Sequence, residues 1–141
     1  MTLEIQIFND THYTPIPRRK IRRVIESILH REQLRGKPIN TASVRVVVVD
    51  DATIHKLNRE FLQHDYPTDI LTFSLEEEQL DAEIYISIET AKRQAREYGV
   101  SLTNELMRLA AHGTLHALGY DDATHEERQI MQHLEEHYIH L

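Results

Sequence analysis

Two histidines stand four residues apart in the run His112-Gly113-Thr114-Leu115-His116. On a helix that spacing puts both side chains on one face, one turn above the other. Both imidazoles can then reach a single divalent cation at about 2.0–2.1 Å. Gly119 tolerates positive φ and lets the chain turn back, so Asp122, three positions on, can approach the same ion. Two imidazoles and a carboxylate leave a tetrahedral cation with an open fourth position, which is catalytic rather than structural coordination. The expected cofactor is one divalent ion, Zn2+ first, although the same ligands also suit Ni2+, Mn2+ or Fe2+. Such an ion polarises a phosphoryl oxygen and acidifies water. The plain alternative is a pair of core histidines, and the Gly-x-x-Asp continuation within an apolar setting argues against it.

The pattern parallels H-E-x-x-H-x-x-G-x-x-H of the zincins with two departures. Gly113 stands where those peptidases carry their glutamate base, and Asp122 stands for the third histidine. Without that base, phosphodiester cleavage is a better match than peptide hydrolysis. Asp121, beside the ligand, is either a partner that orients an imidazole or a solvated turn residue. Thr68 and Asp69 either edge the cleft or make the turn into a strand, and His64 is a cleft candidate by position. His133 and His137 repeat the four-residue spacing but lie among Gln132, Glu135 and Glu136 with no third ligand at a turn. They read as an exposed, charged helix face.

The elements needed to position these groups are legible in outline. Leu3 to Phe8 alternates as a strand, and Pro15 and Pro17 precede a helix from Arg18 to Leu34, stopped by Gly36 and Pro38. Val44 to Val49 is nearly all β-branched and suits a central strand covered on both sides. Asp50-Asp51 caps a helix from Ala52 to Gln63 with Ile54, Leu57 and Phe61 as its stripe. A short strand, Ile70 to Phe73, an acidic loop (Glu76, Glu77, Glu78, Asp81) and a second strand, Glu83 to Ser87, come next. A helix from Ile88 ends at Gly99. Ser101 caps Leu102 to Leu118, apolar on nearly every face from Leu106 onward and therefore the buried central helix. Thr124 to Glu127 is a capping box opening a last helix with Ile130, Leu134 and Tyr138 turned inward. The fold class expected is α+β: a mixed four-stranded sheet packed with about five helices, one antiparallel pairing included.

The chain has 141 residues, 40% hydrophobic and 28% charged, with no Cys and no Trp. That length predicts one domain over residues 1–141 with a core large enough to need no staples. Absent cysteine excludes a disulfide framework, a Cys-ligated zinc finger and a thiol nucleophile. No apolar run suggests a signal peptide or membrane span, so a cytosolic protein is expected. Net charge is -7, yet eight basic residues and only two acids lie between Arg18 and Lys37. The overall sign argues against an indiscriminate polyanion binder, while the basic segment is either a solvated helix face or a local phosphate contact.

The run from His112 to Asp122 resembles the H-G-x-L-H-L-x-G-Y-D-H motif of the bacterial YbeY endoribonucleases. Leu57-Asn58, Asp65 and Thr68-Asp69-Ile70-Leu71-Thr72-Phe73 resemble that family's L-N…D…T-D-V-L-S/T-F segment. Glu83-Ile84-Tyr85-Ile86-Ser87 resembles its G-D-I-x-I-S strand, with Ala82 and Glu83 in place of Gly and Asp. The resemblance implies a zinc-dependent endoribonuclease for single-stranded RNA, maturing small-subunit ribosomal RNA and serving ribosome quality control. It implies metal-ligand roles for His112, His116 and Asp122. The family's activity-linked arginine falls at Leu62, and Arg59, one turn earlier, is expected to supply the missing cation or else to be an ordinary exposed arginine. Ribosomal small-subunit proteins are candidate partners, no membrane is expected, and the chain reads as a monomer. Two rivals stand beside this reading: a small zincin-like peptidase, and a non-catalytic ribosome assembly factor with a structural metal.

Overall fold

The computed structural model of the chain describes residues 2–11, 15–32, 40–75 and 79–141. Its elements are β1 (Thr2–Asn9), α1 (Arg18–Arg31), β2 (Thr41–Val49), α2 (Asp51–Leu62), β3 (Ile70–Ser74), β4 (Leu80–Ser87), α3 (Ile88–Tyr98), α4 (Leu102–Ala117) and α5 (His125–Ile139). The proposed extension of the first helix to Leu34, its stop at Gly36 and Pro38, and the acidic residues Glu76, Glu77 and Glu78 lie outside the described residues.

Caps define the helices as the sequence suggests. Asp50 accepts from the Thr53 N–H at 2.8 Å and Ser101 from the Asn104 N–H at 3.0 Å. Thr124 and Glu127 form the reciprocal capping box. Gly99 ends α3 with φ +66°.

The sheet runs β1-β2-β4-β3, with β1, β2 and β4 parallel and β3 antiparallel at one edge. The mixed α+β architecture expected from the sequence is present. On one face, beneath α1 and α4 with α5 packed against those two helices, Val44, Val46, Val48, Ile84 and Ile86 are all fully buried. Each such side chain contributes about 1.5–3 kcal/mol of burial free energy. The other face has a smaller cluster, Val49, Ile54 and Leu71, roofed by α2. The β-branched run in β2 is therefore fully covered on one side only: Arg45 and Val47 are half-buried.

Three further expectations shift. Strands β2 and β4 begin earlier, at Thr41 and Leu80, because pairing continues into polar residues such as Ser43 and Asp81. Phe61 is 64% exposed although its ring meets Phe73 edge-on at 5.8 Å, since α2 ends one residue later at the rim of its cluster. On α5, Met131 takes the inward place assigned to Ile130, which is half exposed.

Helix α4 runs through the middle of the molecule, against β3, β4 and three other helices. It lies tight against the sheet at Gly113, where an added Cβ would meet Ile84 Cγ2 at 2.8 Å and Ile70 Cδ1 at 3.0 Å. A side chain there would force neighbours out of a packed interior. Glycine at this position is therefore a packing requirement of the helix that carries both histidines.

Candidate metal centre

The last turns of α4 carry His112 and His116 side by side, ring centroids 4.5 Å apart. After Leu118 the chain turns at Gly119 with φ +103°, a value glycine adopts without strain. The reversal is pinned at three points. The Tyr120 N–H donates to the Leu115 carbonyl at 3.0 Å, and the Tyr120 hydroxyl donates to Glu32 at 2.8 Å. Arg128 on α5 donates to the Ala123 carbonyl at 2.9 Å.

The turn returns Asp122 to the helix face: its Oδ2 lies 3.4 Å from Nε2 of His112 and 3.4 Å from Nε2 of His116. One ligand atom from each of the three residues falls within a 4.8 Å set, and among the described residues no other His, Cys, Asp and Glu cluster does so. These three donors fit a divalent cation. Their chemistry is that of a three-ligand site open on one side, and His112 is already oriented for it.

That orientation comes from Glu135. His112 Nδ1–H donates to Glu135 Oε2 at 2.8 Å, which leaves Nε2 with its lone pair facing the cavity. The other Glu135 oxygen accepts from Arg108 at 3.1 Å. Arg108 also makes a two-pronged contact with Glu105 at 2.7 and 2.6 Å. Hydrogen bonding to Glu105, then the charges of Glu105 and Glu135, hold the guanidinium firmly in its charged form despite partial burial. Glu105 is completely buried and Glu135 nearly so. Buried carboxylates are tolerated here because each has a charged or hydrogen-bonding partner.

In the sequence Glu135 reads as part of a polar face. The missed signal was spacing: Met131, Glu135 and Tyr138 fall at i, i+4 and i+7, the inward stripe of α5. Asp121, considered for the orienting role, is exposed and has no hydrogen bond to either histidine among the described residues. His133 and His137 are exposed, as expected.

The donors open into a cavity of about 480 Å³, bordered by Leu62, Thr68, Asp69 and β3. Thr68 and Asp69 thus reach the cleft and make the turn as well. Asp69 accepts from Gln94 of α3 at 3.2 Å, and its carbonyl accepts from the Ser87 N–H at 3.0 Å. Asn58, buried on α2, donates to the Tyr66 carbonyl at 2.9 Å and so shapes the loop leading to Thr68. His64 stacks on Tyr66 outside the cavity lining, centroids 5.4 Å apart. Arg59 is not brought into the cavity either. It is 57% exposed with its guanidinium 4.0 Å from Asp65, whose carboxylate also meets His55 at 2.8 Å.

An α+β sandwich whose central helix and following turn converge two imidazoles and a carboxylate at a cleft has the donor set that small metal-dependent enzymes use. The endoribonuclease YbeY family model matches residues 6–141, and the chain belongs to that family. An endoribonuclease YbeY of Chlorobaculum tepidum is 38% identical over 138 residues, covering 97% of this chain and 96% of that one. One from Pelotomaculum thermopropionicum is 47% identical over 107 residues, 70% of each chain. A solution structure of a Thermotoga maritima protein superposes with a TM-score of 0.67 at 29% identity, covering 96% of this chain and 86% of that one.

Proposed function

We propose that the chain is a metal-dependent endoribonuclease for single-stranded RNA, acting in the cytosol as a monomer of one domain and processing small-subunit ribosomal RNA. The convergence of His112, His116 and Asp122 at an open cleft carries this reading, together with the endoribonuclease activity for which the family is named. A divalent ion, Zn2+ first, supplies Lewis acidity toward a phosphoryl oxygen when bound. The chain's own residues do the positioning. Glu135 fixes the His112 tautomer, Arg108 keeps that carboxylate in place, and the Gly119 turn delivers the third donor. Packing argues against the peptidase rival, because the position of the peptidase base is filled by Gly113 against Ile84 and Ile70.

The deciding experiment incubates zinc-loaded protein separately with a single-stranded RNA oligonucleotide and with casein. RNA cleavage that a chelator abolishes, with casein intact, is the expected result. His116→Ala is expected to remain folded, to bind no zinc and to leave RNA whole. Casein hydrolysis, or an inert but folded and zinc-loaded wild type, overturns the assignment.

A further inference from the structure

Strand β3 pairs with β4 alone, and the register sets which of its backbone groups are free. The Leu75 N–H donates to the Asp81 carbonyl at 2.7 Å and the Ser87 N–H to the Asp69 carbonyl at 3.0 Å. With Leu71 opposite Tyr85 and Phe73 opposite Glu83, residues 69, 71, 73 and 75 are the ones bonded to β4. Ile70, Thr72 and Ser74 therefore direct N–H and C=O away from the sheet. Their side chains share the α4 face, where Ile70 abuts Gly113, and all three border the metal cavity. Among the described residues their N–H groups have no partner.

The opposite sheet edge is treated differently. Arg18 donates to the Ile7 carbonyl and Arg22 to the Ile5 carbonyl at 2.7 Å, so two outward carbonyls of β1 are taken by side chains. Among the described residues, the β3 edge beside the ligands has no such side-chain cover. Among the described residues the cavity lining contains no Lys or Arg: Leu62 borders it, and Arg59 is engaged with Asp65. A phosphate entering this cleft finds its donors in neutral groups, the outward N–H groups and the Thr72 and Ser74 hydroxyls, beside two carboxylates: Asp122 among the ligands and Asp69, which Gln94 engages. Backbone N–H and Ser/Thr hydroxyls are ordinary partners of nucleic-acid phosphates. Outward residues recur about every 6.8 Å along a strand, a step suited to successive phosphates of an extended single strand.

We propose that the free edge of β3 is the docking rail for the RNA backbone, with the Thr72 N–H and the Thr72 and Ser74 hydroxyls holding the phosphates that flank the scissile bond. This rests on the endoribonuclease reading above. The rail binds substrate and transition state alike, so its loss raises KM and leaves kcat nearly unchanged.

The test compares zinc-loaded wild type with Thr72→Pro and with Thr72→Val/Ser74→Ala on a short RNA oligonucleotide. Proline at Thr72 removes one outward N–H and is tolerated there because that N–H is not part of the ladder. The expected result is KM raised about tenfold for each variant, the size of one lost charge-assisted hydrogen bond, with zinc affinity unchanged. A matched oligonucleotide with neutral methylphosphonates flanking the cleavage site is expected to lose affinity for wild type and to lose little more for the variants. Equal methylphosphonate penalties for all three proteins, or wild-type KM in a folded variant, overturn the rail and leave the nuclease assignment standing. Should Thr72→Pro not fold, the double variant and the methylphosphonate comparison decide alone. An inert wild type overturns both readings.

Discussion

His112 can offer Nε2 to a cation because its Nδ1–H is already committed to Glu135 at 2.8 Å. Replacing Glu135 by Gln keeps an acceptor oxygen but removes the negative charge behind the imidazole and half of the anionic cradle around Arg108. Zinc affinity is expected to fall about 10–100-fold, the usual effect of losing an outer-shell partner. Competition against a chromophoric chelator reads this directly, with circular dichroism confirming the fold. Undiminished affinity would remove Glu135 from the site. The three ligands were legible in the sequence because their geometry is local, a helix turn and a glycine reversal. Glu135 was not, since it lies 23 residues along the chain on another helix. Its inward direction depends on which α5 residues form the stripe.

Helix α2 is fastened to α3 through one carboxylate. Asp51 accepts from the Ser87 hydroxyl, from Thr90 at 2.7 Å and from Arg93 at 2.9 Å, while its own N–H donates to Glu89 at 2.9 Å. Burial pushes the carboxyl upward, but the bonds from Ser87, Thr90 and Arg93 outweigh it and hold the group below the ordinary value of 3.8. A depressed folded value means the stabilisation is complete above 3.8 and drains away as pH falls through the lower, folded value. Asp51→Asn is therefore expected to cost about 1–2 kcal/mol at neutral pH, a gap that closes in acid. Urea midpoints of both proteins across that range provide the measurement, and a gap independent of pH would contradict the account. At this scale the sequence showed where helices start, because Asp50, Ser101 and Thr124 signal caps locally. It could not show that Phe61 and Ile130 face outward. Apolar periodicity does not reveal where a helix overruns the surface it packs on, or which of two adjacent apolar residues, Ile130 or Met131, points in.

Over the whole molecule, the basic segment has a part that its charge count did not suggest. Along the chain it reads as a solvated face or a phosphate contact; folded, Arg18 and Arg22 reach across to carbonyls of β1. A helix face and a strand edge become neighbours only through the parallel β1-β2 crossover, which composition cannot express. Open sheet edges invite pairing with another chain, and by occupying two outward carbonyls these arginines are expected to weaken such pairing at the edge remote from the metal cleft. Arg18→Ala/Arg22→Ala is expected to expose that edge and to destabilise the fold by about 1 kcal/mol per arginine. Light scattering should then detect more self-association than in wild type, rising with protein concentration. Cleavage per folded molecule should be unchanged, since β2 and β4 separate β1 from β3. A double variant that remains monomeric at every concentration would mean that some other feature guards β1.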